Sequence, residues 1–275
     1  MGVIAGRTGG DWSSVETMLR SMSHRVQHDP RVCVRQCDGA VLGASENGIG
    51  SEGPITIAGD VDLFGYAGSE SLCIDELAQL WHQYGREVLC NIDGLFAIAV
   101  HDERDGSITL ARGICGARPV VYASIGDSIV FASECKGLLG MDGLEPRVDL
   151  DVLQHIHNSK FTPADRTMFA GVRAVAPSSY VVIRSGKVVE SGRYWKPEPA
   201  VEDLPFEAHA DRIEQAFLSA LDRRSRIVDP LAVALSGGID SMAIVAGLRR
   251  LNPGSTILTF SAGDREDDEE LLWSG

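Results

Sequence analysis

The run Ser236-Gly237-Gly238-Ile239-Asp240-Ser241 joins an apolar segment at 231–235 to a segment of helical spacing. Adjacent glycines let main-chain N–H groups come close to an anion, and the N-terminus of the following helix adds positive dipole charge. Ser236 and Ser241 add hydroxyl donors. These residue types in this order make a phosphate cradle. The loop has no Lys, so it is not the nucleotide-binding loop that ends Gly-Lys-Ser/Thr. The same residues also read as an ordinary helix-start turn, where Ser and Asp are favoured for capping alone.

The elements around this turn follow from periodicity. A helix over about 207–225, a strand at 231–235, a helix over about 240–250 and a second apolar run at 256–260 make a strand–helix–strand unit, the start of a parallel sheet. Upstream, to about residue 146, the texture is different. Short apolar runs at 55–59, 95–100, 107–112, 119–124 and 128–133 are separated by Glu103-Arg104-Asp105-Gly106 and Gly126-Asp127, which read as hairpin turns. Leu72, Leu77, Leu80 and Trp81 fall at helical spacing over 71–85, and Leu150 to His157 reads as another helix. A hairpin from Val181 to Val189 leads to Trp195 and the Pro-containing stretch 196–200, the best linker in the sequence. The expected division is 1–198 and 199–275.

The 275 residues are 44% apolar and 23% charged, enough for one large core or two ordinary ones. Twenty-five Lys and Arg against 39 Asp and Glu give a net charge of −14, which would repel a nucleic-acid backbone or an anionic lipid surface. With no apolar stretch near the roughly 18 to 20 residues a bilayer crossing needs, the expectation is a cytoplasmic chain with neither nucleic acid nor membrane as a partner. The cysteines Cys33, Cys37, Cys73, Cys90, Cys115 and Cys135 read as reduced thiols. Cys33 and Cys37 with His24 and His28 make a zinc set arithmetically possible, but a C-x3-C without a second pair is a weak signal.

The run Leu235 to Ser241 resembles the signature of N-type ATP pyrophosphatases. Asp93-Gly94-Leu95-Phe96-Ala97-Ile98-Ala99, Leu110-Ala111-Arg112, Gly116-Ala117-Arg118-Pro119 and Phe131-Ala132-Ser133-Glu134-Cys135-Lys136 resemble, in order and spacing, the class II glutamine amidotransferase domain of asparagine synthetase. Arg166 to Val172 and Arg193-Tyr194-Trp195 are similar too. The resemblance implies an α+β chain: an N-terminal α-β-β-α sandwich of the N-terminal-nucleophile hydrolase kind, then the start of a parallel α/β ATP pyrophosphatase domain. It implies an ATP-dependent amide-forming ligase, in which a carboxylate such as aspartate or another amino-acid-like substrate is adenylated and then attacked by ammonia or an amine. By the resemblance, Ser236, Gly237, Gly238 and Ser241 hold the pyrophosphate end of ATP, Asp240 helps place Mg²⁺, and Leu235 and Phe260-Ser261 face the adenosine.

The sequence departs from that family in two places. The family's glutaminase opens Met-Cys-Gly, and its cysteine attacks the glutamine amide; here that position is Gly2, which has no nucleophilic side chain. The family's Asn-Gly-Glu, whose Asn donates to the oxyanion, aligns with Ala58-Gly59-Asp60, and no arginine lies in Gly43-Ala44-Ser45-Glu46 to clamp the glutamine carboxylate. The Asp that binds the glutamine amine falls near Glu70 or Cys73. These losses together imply an inactive glutaminase half, as in β-lactam synthetases, which close an internal amide without glutamine; a peptide-cyclising ligase is the related alternative. At the other end, 39 residues follow Ser236, and the family's later Gly-Glu-Gly-x-Asp-Glu segment is not among them. The expectation is that a separate chain supplies it, or that the chain is a non-catalytic remnant. The acidic run 264–270 reads as the solvated start of a helix, or as a carboxylate set orienting substrate or metal. A glutaminase using Ser13 or Ser14 is the remaining alternative.

Overall fold

The computed structural model describes residues 2–26, 32–69, 71–199, 202–226 and 231–263. The chain divides into two compact units, Met1–Pro197 and Glu198–Gly275.

The first unit runs β1 (Ile4–Thr8), α1 (Trp12–Ser21), β2 (Val32–Cys37), β3 (Ala40–Ser45), β4 (Ile49–Glu52), β5 (Ile55–Tyr66), α2 (Ile74–Tyr84), β6 (Ile92–Asp102) and β7 (Ser107–Arg112). It continues with β8 (Val121–Ile125), β9 (Ser128–Ala132), α3 (Cys135–Leu139), α4 (Leu150–Ser159), β10 (Val172–Ala174), β11 (Ser179–Arg184) and β12 (Lys187–Arg193). Two six-stranded sheets result, ordered β10-β8-β9-β1-β3-β2 and β12-β11-β7-β6-β5-β4. All strand pairings within them are antiparallel.

The side-chain alternation of each strand explains the layering. In β6, Ala97 and Ala99 face a core shared with Ile4, Leu42, Ala44 and Phe131 of the other sheet. The intervening Phe96, Ile98 and Val100 face Leu77, Ala78 and Trp81 of α2. On the far side of the first sheet, Val15, Met18 and Leu19 of α1 and Leu138 of α3 pack on Val41, Val121 and Val130. The central strands of each sheet are therefore buried on both faces, and the unit is an α-β-β-α sandwich. The covering helices are capped locally: Asp11 accepts from the Ser13 N–H ahead of α1, and Cys73 with Glu76 forms a capping box ahead of α2.

The second unit contains α5 (Phe206–Ser225), β13 (Leu231–Ala234), α6 (Ile239–Leu251) and β14 (Ile257–Phe260). The two strands pair in parallel, Leu231 opposite Ile257 through Ala234 opposite Phe260. The α6 helix packs on them. Gly247 lets α5 approach α6, since a Cβ there would lie 2.5 Å from Leu221 Cδ1 and 3.3 Å from Phe217 Cε1. Ala232, Ala234, Leu258 and Phe260 alternate along the two strands and are exposed. That sheet face is apolar and uncovered among the described residues. No described helix is long and apolar enough to cross a membrane.

Candidate functional site

Two places carry the residues that the sequence singles out, one in each unit. In the first, Ser45 at the end of β3 steers the chain ahead of β1. Its N–H donates to the Val3 carbonyl at 3.0 Å and its hydroxyl accepts from the Val3 N–H at 3.3 Å. Gly2 is thereby held against β5 of the opposite sheet, where its N–H donates to Asp60 Oδ1 at 2.9 Å. A Cβ on Gly2 would lie 2.9 Å from Ser45 Oγ and 3.2 Å from Asp60 Oδ1. A side chain at residue 2 would need both of these side chains to give way by a few tenths of an ångström.

Asp60 is fully buried and serves as the hub of an ionic network. Arg25 Nη2 donates to Asp60 Oδ2 at 2.9 Å, Arg25 Nε to the Gly2 carbonyl at 3.2 Å, and Arg25 Nη1 to Glu134 Oε1 at 2.8 Å. Arg118 brings Nε to 3.6 Å from Asp60 Oδ1, beyond hydrogen-bond range, and donates to Asp62 through Nη2. His24 Nε2 lies 3.1 Å from Glu134 Oε2. The Arg25 and Arg118 side chains are only 10% and 9% exposed, so these charges interact with little screening by water.

Of the other positions weighed for glutamine hydrolysis, Ala58 presents a methyl to the core between the sheets. Cys73 is the cap of α2, its sulfur accepting from the Glu76 N–H, and Glu70 lies outside the described residues. Ser13 and Ser14 are tied to Asp11 at the start of α1, Ser14 donating to its carbonyl at 2.7 Å. Cys135 follows Glu134 in the chain, but burial pushes its thiol up, as it does that of Cys37; both are poor sources of thiolate. Sequence reasoning missed Arg25: it lies 35 residues from Asp60 and 109 from Glu134, with no spacing signal to join them.

The second place is the turn between β13 and α6. Parallel pairing continues past β13, the Leu235 N–H donating to the Phe260 carbonyl at 2.8 Å, and Ser261 Oγ donates back to the Leu235 carbonyl at 2.6 Å. The strand ends are thus locked side by side under the turn. Gly237 has φ +74°, a left-handed conformation that favours glycine. Ser236 and Ser241 face each other across the turn, hydroxyls 3.3 Å apart. Ser241 Oγ accepts from the Ser236 N–H at 3.2 Å and donates to the Gly238 carbonyl at 3.0 Å. Gly238 is the N-cap of α6 and supplies no side-chain acceptor, so the positive end of the helix is presented beside two hydroxyls. Asp240 is exposed in the first turn of α6. The structure therefore brings together Leu235, Ser236, Gly237, Gly238, Asp240, Ser241 and Ser261 at the carboxyl ends of two parallel strands, where open α/β sheets bind ligands. The acidic run 264–270 lies outside the described residues.

Residues 74–195 match the glutamine amidotransferase domain family, and residues 212–274 match the asparagine synthase family. Among curated proteins, the chain is 26% identical over 209 residues to asparagine synthetase [glutamine-hydrolyzing] 1 of Bacillus subtilis, covering 76% of this chain and 33% of that protein. It is 30% identical over 199 residues to a putative asparagine synthetase [glutamine-hydrolyzing] of Mycobacterium bovis, covering 70% of this chain and 30% of that one. The chain spans about a third of the length of these relatives. A glutamine phosphoribosylpyrophosphate amidotransferase structure from B. subtilis aligns at TM-score 0.49 and 14% identity, over 98% of this chain and 68% of that one. The resemblance to asparagine synthetases extends through both units.

Proposed function

We propose that this chain takes part in ATP-dependent amide formation, with residues 199–275 contributing the phosphate-binding part of an ATP pyrophosphatase-like site and residues 1–198 forming a glutamine amidotransferase-like unit that does not hydrolyse glutamine. The observation that carries the reading is the Ser236–Ser241 turn: two facing hydroxyls, a left-handed glycine and a helix N-terminus at the ends of parallel strands. Ser236, Gly237, Gly238 and Ser241 would hold the phosphates of ATP; Leu235 and Ser261 would border its nucleoside.

The donor set suits Mg²⁺ on the same terms. Mg²⁺ commonly takes one or two protein carboxylates and completes its shell with phosphate oxygens and water, and Asp240 offers one exposed carboxylate beside the turn. When bound, the ion would supply charge neutralisation at the departing pyrophosphate. The Ser236 and Gly238 N–H groups and the Ser241 hydroxyl donate within the turn here, and would be redirected to the phosphates when ATP binds.

The nitrogen donor in this reading is ammonia or an amine. Its support is the Gly2 cleft, where a methyl stands at Ala58 and Ser45 and Asp60 crowd the nucleophile position. The same loss favours the related reading of an internal amide closure, in which the acceptor carries its own amine. The exposed apolar face of Ala232, Ala234, Leu258 and Phe260 supports a further partner, more polypeptide that covers the sheet and completes the acceptor site. ATP–pyrophosphate exchange, with aspartate and with β-amino acids, tests the reading, for this chain alone and with the product of the adjacent gene. Exchange that depends on one carboxylate is expected once the site is complete. No ATP binding by the chain and no exchange in either arrangement would refute it.

A further inference from the structure

We propose that His101 and the Asp38-Gly39 turn form a pH-sensitive latch at the turn end of the sandwich. Neutral His101 holds the turn over the inter-sheet core. Once protonated, the ring leaves that core and the turn lifts. His101 is fully buried. It stands in β6 opposite Thr56 of β5 and Ile108 of β7, and strand alternation puts it on the face of Ala97 and Ala99, towards the other sheet. From that other sheet Cys37, the last residue of β2, joins the same cluster as Ala99 and Ile108. Asp38 and Gly39 follow Cys37 and connect β2 to β3, so their turn closes the core at the level of His101, with the Asp38 main chain beside the ring.

On its outer side the turn borders a cavity of about 410 Å³, lined by Thr8, Asp38, Gly39, Asp105, Asp127 and Arg184 from loops of both sheets. The turns around it are not equally fixed. A Cβ on Gly186 would overlap the Asp127 carbonyl, so the β11–β12 and β8–β9 turns are wedged together, whereas a Cβ on Gly39 would meet nothing within 4 Å. The Gly9 N–H donates to the Gly39 carbonyl at 2.6 Å, and the described residues give the turn no other backbone–backbone hydrogen bond outside its hairpin. The carboxylates near the ring are Asp38 of the turn and Asp102 and Glu103 at the end of β6, with Asp102 paired to Arg104. Cys37 stays a neutral thiol through burial, Thr56 and Ile108 carry no charge, and Arg184 and Asp105 in the cavity pair with each other. Between the sheets those carboxylates offset only part of the cost of burying an imidazolium; in the cavity, water supplies the rest.

Amide hydrogen exchange of the full chain between about pH 7.5 and 5, corrected for the intrinsic pH dependence of exchange, tests the latch. Lifting the turn returns His101 to its ordinary pKa of about 6.5, whereas burial lowers it in the closed form. Opening therefore becomes about tenfold more frequent for each pH unit below about 6.5, down to the closed-form value. Amides of residues 37–40 are expected to lose protection on that schedule, insensitive to low denaturant as a local opening is, and the loss is expected to vanish in His101→Phe. The unaltered chain supplies a second measurement that needs no variant: the His101 ring signal, assigned by NMR through Thr56 and Ile108, is expected to titrate over the same pH range. Unchanged protection at 37–40, loss only through denaturant-sensitive global unfolding, equal loss in His101→Phe, or loss without titration of the ring would each overturn the latch.

Discussion

Arg25 and Asp60 meet at 2.9 Å in the interior of the first unit, where Asp60 is wholly buried and the main-chain nitrogen of Gly2 shares the same carboxylate. A carboxylate so engaged has one oxygen on an arginine and the other on the backbone, with a second arginine close by. Residue 2 and Arg25 thus share one buried carboxylate.

The fate of residue 2 follows directly. Gly2→Cys restores the family's side chain but pushes it against Ser45 Oγ and Asp60 Oδ1. The expected outcome is a loss of about 1 to 3 kcal/mol of stability in denaturant titration, with ammonia release from glutamine unchanged from background. A stable variant that hydrolyses glutamine would contradict the account.

Gly6 in β1 makes a comparable prediction about packing. A Cβ there would lie 2.3 Å from Phe131 Cζ and 2.6 Å from the Val41 carbonyl oxygen, and the latter, being main chain, has no rotamer by which to escape. Gly6→Ala is expected to lower stability by about 1 to 3 kcal/mol, read from the denaturation midpoint.

His101 gives the pH dependence. It is fully buried between Thr56 and Ile108 in the neighbouring strands, with the Asp38 main chain and the Glu103 and Asp102 carboxylates near enough to oppose only part of the effect of burial. Burial pushes its pKa below the ordinary histidine value of about 6.5. The unfolded chain therefore binds a proton at higher pH than the folded one, so this contribution to stability is whole above that value and shrinks as pH falls below it, down to the folded pKa. Denaturation midpoints between pH 7.5 and 5 are expected to decline on acidification, and His101→Phe to flatten the decline. An unchanged slope in the variant would assign the acid sensitivity elsewhere.

In the second unit, Ser241→Ala removes the acceptor of the Ser236 N–H and the donor to the Gly238 carbonyl. Since hydrogen bonds to charged groups contribute about 1.5 to 3 kcal/mol, ATP affinity is expected to fall by about tenfold or more. Equilibrium dialysis with the unaltered and variant chains measures it.

Much of the fold is legible in sequence because its strands carry strong local signals. The hairpin turns at Asp105-Gly106 and Gly126-Asp127 join β6 to β7 and β8 to β9, and the run expected at 107–112 coincides with β7. Elements with weaker signals are shifted or missed. The helix expected from 71 begins at Ile74 because Cys73 caps it, and cysteine is not one of the usual capping types. The strand expected from 119 begins at Val121, two residues past Pro119, which has no N–H to give a ladder. The strands β1 and β3 are rich in Gly and Ala and sit mid-sheet, buried on both faces, so alternation does not mark them.

The two sites differ in the same way. The turn at 236–241 is contiguous, and its chemistry is written in adjacent letters. The cleft is assembled from residues 2, 25, 45, 60, 118 and 134, and what can be read from the sequence is the loss at Gly2 and Ala58. That Arg25 meets Gly2, Asp60 and Glu134 becomes visible only when two sheets stack.

The most direct test of the central claim is calorimetric titration of the unaltered chain with ATP and Mg²⁺ and, in parallel, with glutamine. Saturable heat with ATP that is lost on Ser236→Ala, Ser241→Ala double substitution, and no heat with glutamine, is the expected result. Heat with glutamine and none with ATP would contradict it.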